Sequence, residues 1–79
     1  MNDLILDRIS IDTDICGGKP TIRGMRITVE TILGYLAAGD SVKDILSAYS
    51  FLQKEDIQAC MAFAVRKMYY EKTELLSSQ

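Results

Sequence analysis

The sequence predicts a mostly α domain: a three-helix bundle with helix-turn-helix spacing, preceded by a short N-terminal β arm or hairpin. Three observations carry that expectation. Apolar and polar residues alternate up to Ile15, whereas from Val29 onward apolar residues recur at helical spacing. Between the two regimes lies residues 17–28, GGKPTIRGMRIT, which holds three of the five glycines and the single proline. The joins at Gly39-Asp40-Ser41 and at Ser50-Phe51-Leu52 are short enough for consecutive helices to pack as a helix-turn-helix pair.

The elements follow in order. In 8-RISIDTDI-15, Ile9 and Ile11 occupy one side and the aspartates the other, which is strand period. Cys16-Gly17-Gly18 ends that strand. The β-branched pieces around Thr21-Ile22 and Ile27-Thr28 fit two short strands joined by a turn at Gly24.

Val29, Ile32, Leu33, Leu36 and Ala37 then form an amphipathic stripe. Thr28 is placed to cap its first turn, and Gly39 to end it in a left-handed conformation. Ser41 and Asp44 read as a capping box for a second helix carrying Val42, Ile45, Leu46 and Tyr49. Glu55 and Asp56 suit the positive end of a third helix dipole. Its apolar face, Ile57, Cys60, Met61, Ala64, Val65 and Met68, is widened by Phe63 and Tyr70 beyond what one small core needs. A helix apolar nearly all round is covered on more than one side, so Phe63, Met68, Tyr69 and Tyr70 are expected at a dimer interface. The division is a β arm with its basic turn region over 1–28, the helical bundle over 29–76, and a disordered tail over 77–79.

Seventy-nine residues make one domain with a modest core. The net charge of −2 excludes a strong non-specific nucleic-acid binder, not a local basic patch. Charge is unevenly spread: residues 1–16 sum to −3, and residues 17–28 carry Lys19, Arg23 and Arg26 with no acid, +3. No apolar run is long enough to span a membrane, and the start lacks the basic segment of a secretory signal. Two cysteines without metal-ligand spacing fit a reducing cytoplasm.

Catalysis finds little footing. There is no histidine, so the common triads are absent and no zinc site can be completed. Asp12 and Asp14 read as a solvated strand face, and Cys16 is a reactive thiol only if a neighbouring cation such as Lys19 depresses its pKa. Gly17-Gly18-Lys19 lacks the upstream glycine and the following Ser/Thr of a phosphate loop. No catalytic residue, metal or cofactor is expected.

Binding is the better-supported class. Glycines let backbone amides approach an anion, and arginine grips phosphate or carboxylate in bidentate fashion. Lys19, Arg23 and Arg26 are therefore candidate contacts to nucleic-acid phosphate or to an acidic partner. The alternative is internal neutralisation by Asp12 and Asp14. In helix-turn-helix geometry Gln53, Lys54 and Gln58 would face bases, against the repulsion of Glu55 and Asp56 for phosphate.

The run Ile15-Cys16-Gly17-Gly18-Lys19-Pro20-Thr21-Ile22-Arg23-Gly24-Met25-Arg26-Ile27 resembles the signature of a bacterial and archaeal family of unknown function, number 433. Leu36-Ala37-Ala38-Gly39-Asp40-Ser41, Asp44-Ile45-Leu46, Tyr49 and Glu55-Asp56-Ile57 extend the resemblance over about residues 8–70. Met25 stands where the family has threonine, Ser50 replaces a proline, and Gln53 replaces the Ser/Thr expected to cap the third helix. The resemblance implies a homeodomain-like helix-turn-helix fold, a homodimer, and a VapB-type antitoxin role in a type II toxin–antitoxin module. Such a protein neutralises a PIN-like ribonuclease toxin and can bind its own operator DNA. The alternative is a protein-interaction subunit that does not bind DNA. Within the matched motif, Gly17, Gly18, Pro20 and Gly24 would shape the turn region, with Gly39 and Ser41 punctuating the helices.

Overall fold

The structure, a computed structural model, describes residues 3–77, with side chains through residue 70. It is mostly helical, with a minimal sheet near the N-terminus. The order is helix α1 (Leu4–Arg8), strand β1 (Ile9–Ser10), a single 3-10 turn (Cys16–Gly18), strand β2 (Thr21–Ile22), and helices α2 (Val29–Ala37), α3 (Val42–Ala48) and α4 (Lys54–Ser77).

The arm is more helical and less extended than its alternation suggests. Asp3 accepts hydrogen bonds from the amides of Ile5 and Leu6 and so starts α1. β1 lasts only two residues, pairing Ile9 with Ile22 and Ser10 with Thr21. Beyond it, the Asp12 carboxylate accepts the Asp14 amide at 2.9 Å and the Ile15 amide bonds the Asp12 carbonyl. This local turn bends the chain, so Asp12 and Asp14 do not share a strand face.

β2 returns through a tight turn. The Met25 amide bonds the Ile22 carbonyl at 2.9 Å, and both central residues are left-handed, Arg23 at φ 49° and Gly24 at φ 72°. Those are the signs of a type I′ turn, the form that suits the twist of paired strands. Thr21 then bridges Thr28 on the side away from β1, so the two β-branched pieces do pair across the turn.

The helical part follows its local signals closely. Thr28 accepts the Thr31 amide at 3.1 Å. Ser41 and Asp44 exchange backbone and side-chain bonds as a capping box. Gly39, at φ 101°, closes α2 in a Schellman motif: its own amide reaches Leu36 O and the Asp40 amide reaches Tyr35 O. Tyr35 and Tyr49 then join α2 to α3 by a 2.8 Å hydroxyl–hydroxyl bond.

Ile22, Ile27, Val29, Ile32, Ile45, Leu52, Ile57 and Cys60 form the core where the hairpin meets the three long helices. At 1.5 Å per residue, the 24 residues of α4 span roughly 36 Å. α4 continues through Ser77, the first residue of the expected tail; residues 78–79 lie outside those described.

Gly39→Ala is expected to cost about 1 kcal/mol, because only glycine holds the left-handed closure without a Cβ penalty. No atom lies within 4 Å of a Cβ built there, so any loss measured in urea reports backbone conformation and not a clash.

Candidate functional site

The polar centre of the molecule is Asp56, in the first turn of α4. Its side chain is 0% exposed. All four of its acceptor positions are used. Oδ1 receives Arg8 Nη1 at 2.9 Å and Arg23 Nε at 3.1 Å. Oδ2 receives Arg23 Nη2 at 2.9 Å and the Gln53 amide at 2.8 Å. Arg23 thus makes the bidentate fork that guanidinium and carboxylate geometry favour, and its Nη2 also donates to the Phe51 carbonyl at 2.9 Å. Arg8 Nη1 donates in addition to Gln53 Oε1 at 2.7 Å.

The arrangement follows from the sequence around each partner. Gln53 precedes α4 without the hydroxyl that normally caps such a start. Asp56 reaches back to the Gln53 amide instead, which is one half of a capping box. Arg8 ends α1, and its carbonyl accepts the Arg23 amide at 2.9 Å, so the arm and the hairpin turn arrive together. Burial on its own would raise the Asp56 pKa. The bonds from Arg23, the Gln53 amide and Arg8 outweigh it and hold the carboxyl below the usual carboxylate range.

This placement changes the reading of the basic run. Arg23 is neither displayed outward for phosphate nor paired with Asp12 or Asp14; the acid it meets is on α4. Lys19 sits 3.5 Å from Glu30, with both side chains largely exposed. Arg26 is exposed and has no ion pair among the described residues. Lys54 and Gln58 face solvent at the start of α4, while Gln53 is taken up by Arg8.

The turn-region glycines are structural. Gly17, Gly18 and Gly24 all have positive φ, and the carbonyl of Pro20 receives the Val29 amide at 3.0 Å. Arg8 and Asp56 were not among the candidate residues. The available signal was an acid three residues after the cap position Gln53, the spacing at which a side chain can accept the cap residue's own amide.

A second surface lies farther along α4. Met61, Val65 and Met68 recur at four- and three-residue spacing, and Val65 and Met68 are 69% and 68% exposed. Tyr69 and Tyr70, also exposed, touch edge to face with ring centroids 5.9 Å apart. Phe63, expected beside them, is half-buried and packs on the core instead.

For nucleophilic chemistry the site offers little. The Cys60 thiol is fully buried, and burial with the nearby Asp56 charge pushes its pKa up to about 12. Cys16 is half-buried with φ 51°. Among the described residues no group of three acidic or thiol side chains could hold a metal ion. No helix among them is long and apolar enough to cross a membrane.

Asp56→Asn is expected to destabilise the fold by about 3 kcal/mol, since it leaves two guanidinium groups around a neutral amide. A carboxylate whose folded pKa is depressed adds stability above its unfolded pKa, and that stability drains as pH falls through the folded value. Wild-type stability in urea should therefore decline as pH drops below about 4, and Asp56→Asn should flatten that decline.

The chain matches the family described as protein of unknown function (DUF433) over residues 9–64, a span containing the turn region, both short strands and Asp56. The uncharacterized protein y4eO of Sinorhizobium fredii (strain NBRC 101917 / NGR234) is 35% identical over 66 residues, covering 81% of this chain. The chain spans only about 30% of that relative's length. A crystal structure of a DUF433 member protein from Anabaena variabilis ATCC 29413 superimposes with a TM-score of 0.74 at 25% identity. That match covers 96% of this chain and 86% of the other. With most of its length matched in sequence and nearly all of it in fold, this chain belongs to the DUF433 family.

Proposed function

We propose that the protein is the protein-binding, antitoxin-like component of a type II toxin–antitoxin module, which pairs with a second copy through α4 and holds a PIN-like ribonuclease inactive. The observation that carries the protein-binding part is the bare stripe of Met61, Val65 and Met68. An apolar helix face in water costs free energy until another surface covers it. The toxin assignment rests on the resemblance of the Gly-Lys-Pro and Gly-Met-Arg block to families encoded beside such nucleases.

Operator binding is the second reading. Lys54 and Gln58 lie at the start of α4, where a recognition helix meets base edges, and Arg26, just after the hairpin turn, has no ion pair among the described residues. The capture of Arg23 by Asp56 subtracts one of the two arginines of the turn region from that surface. Protein binding is therefore favoured over DNA binding, in a cytoplasmic setting. Any DNA affinity should fall steeply with salt as counterions are released.

Val65→Glu with Met68→Glu should keep the helical circular-dichroism signal, lower the thermal midpoint by the stability that pairing adds, and convert the dimer to monomer in sedimentation equilibrium. Wild-type chain that sediments as a monomer at high concentration removes the pairing. In the functional assay, the purified chain should suppress RNA cleavage by a co-encoded PIN-like nuclease at stoichiometric ratio. Undiminished cleavage in excess chain removes the antitoxin role.

A further inference from the structure

A groove beside the bare α4 stripe has its own chemistry. A cavity of about 390 Å³ lies between the start of α2 and the middle of α4, floored by Val29, Leu33, Phe63 and Ala64. A second cavity of about 330 Å³ continues from it toward α1, with Ile5, Ile11 and Tyr70 in its walls. Phe63 and Lys67 line both, so the two adjoin and together make a groove along α4. From Phe63 to Tyr70 it runs about 10 Å along the helix axis. An elongated open trough of this kind suits a linear segment better than a compact ligand.

The rim is basic. Lys67 stands between the two cavities with no ion pair among the described residues. Lys19 closes one end, engaged only by the exposed Glu30 at 3.5 Å. Arg66 lies at the other end, 3.5 Å from Asp3. Among the described residues, three cations against two acids leave a net +1 on the rim, in a chain whose total is −2. A positive rim around an apolar floor selects an occupant of opposite pattern.

We propose that this groove binds an acidic amphipathic helix of the partner protein, its apolar side against Phe63 and Leu33 and its carboxylates on Lys67 and Lys19. This rests on the protein-binding reading above and adds the chemistry of the segment bound. Phe63 is the anchor, held in place by its packing on the core. The site is separate from the Met61, Val65 and Met68 stripe, so one α4 can meet a second copy and the partner together.

The test uses the full chain, isotopically labelled, and two synthetic helical peptides of about four turns. One carries leucine on one face and glutamate on the other; its counterpart replaces every glutamate with lysine. The glutamate peptide should shift the amide signals of Val29, Leu33 and Ala64 and bind at least about tenfold more tightly than the lysine peptide. Lys67→Glu with Lys19→Glu, both on exposed side chains, should abolish that preference while the thermal midpoint holds.

Equal affinity for the two peptides overturns the proposal, as does binding of neither. Shifts confined to Met61, Val65 and Met68 overturn it too. If the double charge reversal instead dissociates a dimer, a second copy fills the groove and the proposal fails. Equal affinity of the wild-type chain for the two peptides, with its suppression of the nuclease intact, separates failure of this site from failure of the antitoxin role.

Discussion

The buried carboxylate of Asp56 is the constraint on which the arrangement of this small protein depends. It sits in the first turn of α4, yet its cationic partners come from 33 and 48 residues away along the chain. One side chain thereby fixes three things: the start of α4, the turn after β2, and the end of α1. Desolvating a charge costs several kcal/mol per ion, and a single cation rarely repays it. Here four donors fill every acceptor position, and both cations lie near the surface, where some solvation is kept. The network also accounts for a strained residue. Arg23 is a non-glycine in the left-handed region, a conformation that persists only when its surroundings over-determine it. Its fork on Asp56 and its bond to Phe51 supply that over-determination.

The helical half of the fold was legible because its signals are local. A capping hydroxyl at Thr28 or Ser41, and a left-handed glycine at Gly39, act on amides and carbonyls within six residues of themselves. The apolar stripes of α2 and α3 point inward as their spacing requires, except for Ala37 at the end of α2, which is exposed. The arm was less legible for the same reason turned around. Its period-two pattern is real, but strand pairing is a long-range event, and Asp12 offered the backbone a nearer partner. α1 was hidden because five residues are too few for periodicity to register, although Asp3 before Leu4 and Ile5 is an ordinary N-cap arrangement.

The candidate site shows the same division. Counting charge along the chain isolates Lys19, Arg23 and Arg26 as a group, but it cannot say which acid each one meets. The aspartates next to them in sequence were the natural suspects, and the structure selects another on a distant helix. A residue read as repelling a phosphate turned out to be the anchor for one of the arginines thought to attract it. Of the three cations, only Arg26 has no ion pair among the described residues. With Arg23 committed to the fold, the partner surface proposed above is chiefly the apolar flank of α4.

Cys60 lies at the foot of this assembly, one helical turn beyond Asp56, fully enclosed and with its thiol held protonated. An alkylating reagent can reach it only through molecules that have momentarily opened. The protein therefore carries an internal gauge of its own breathing: the labelling rate of this one sulfur measures how often its surroundings open, with no label engineered into the chain.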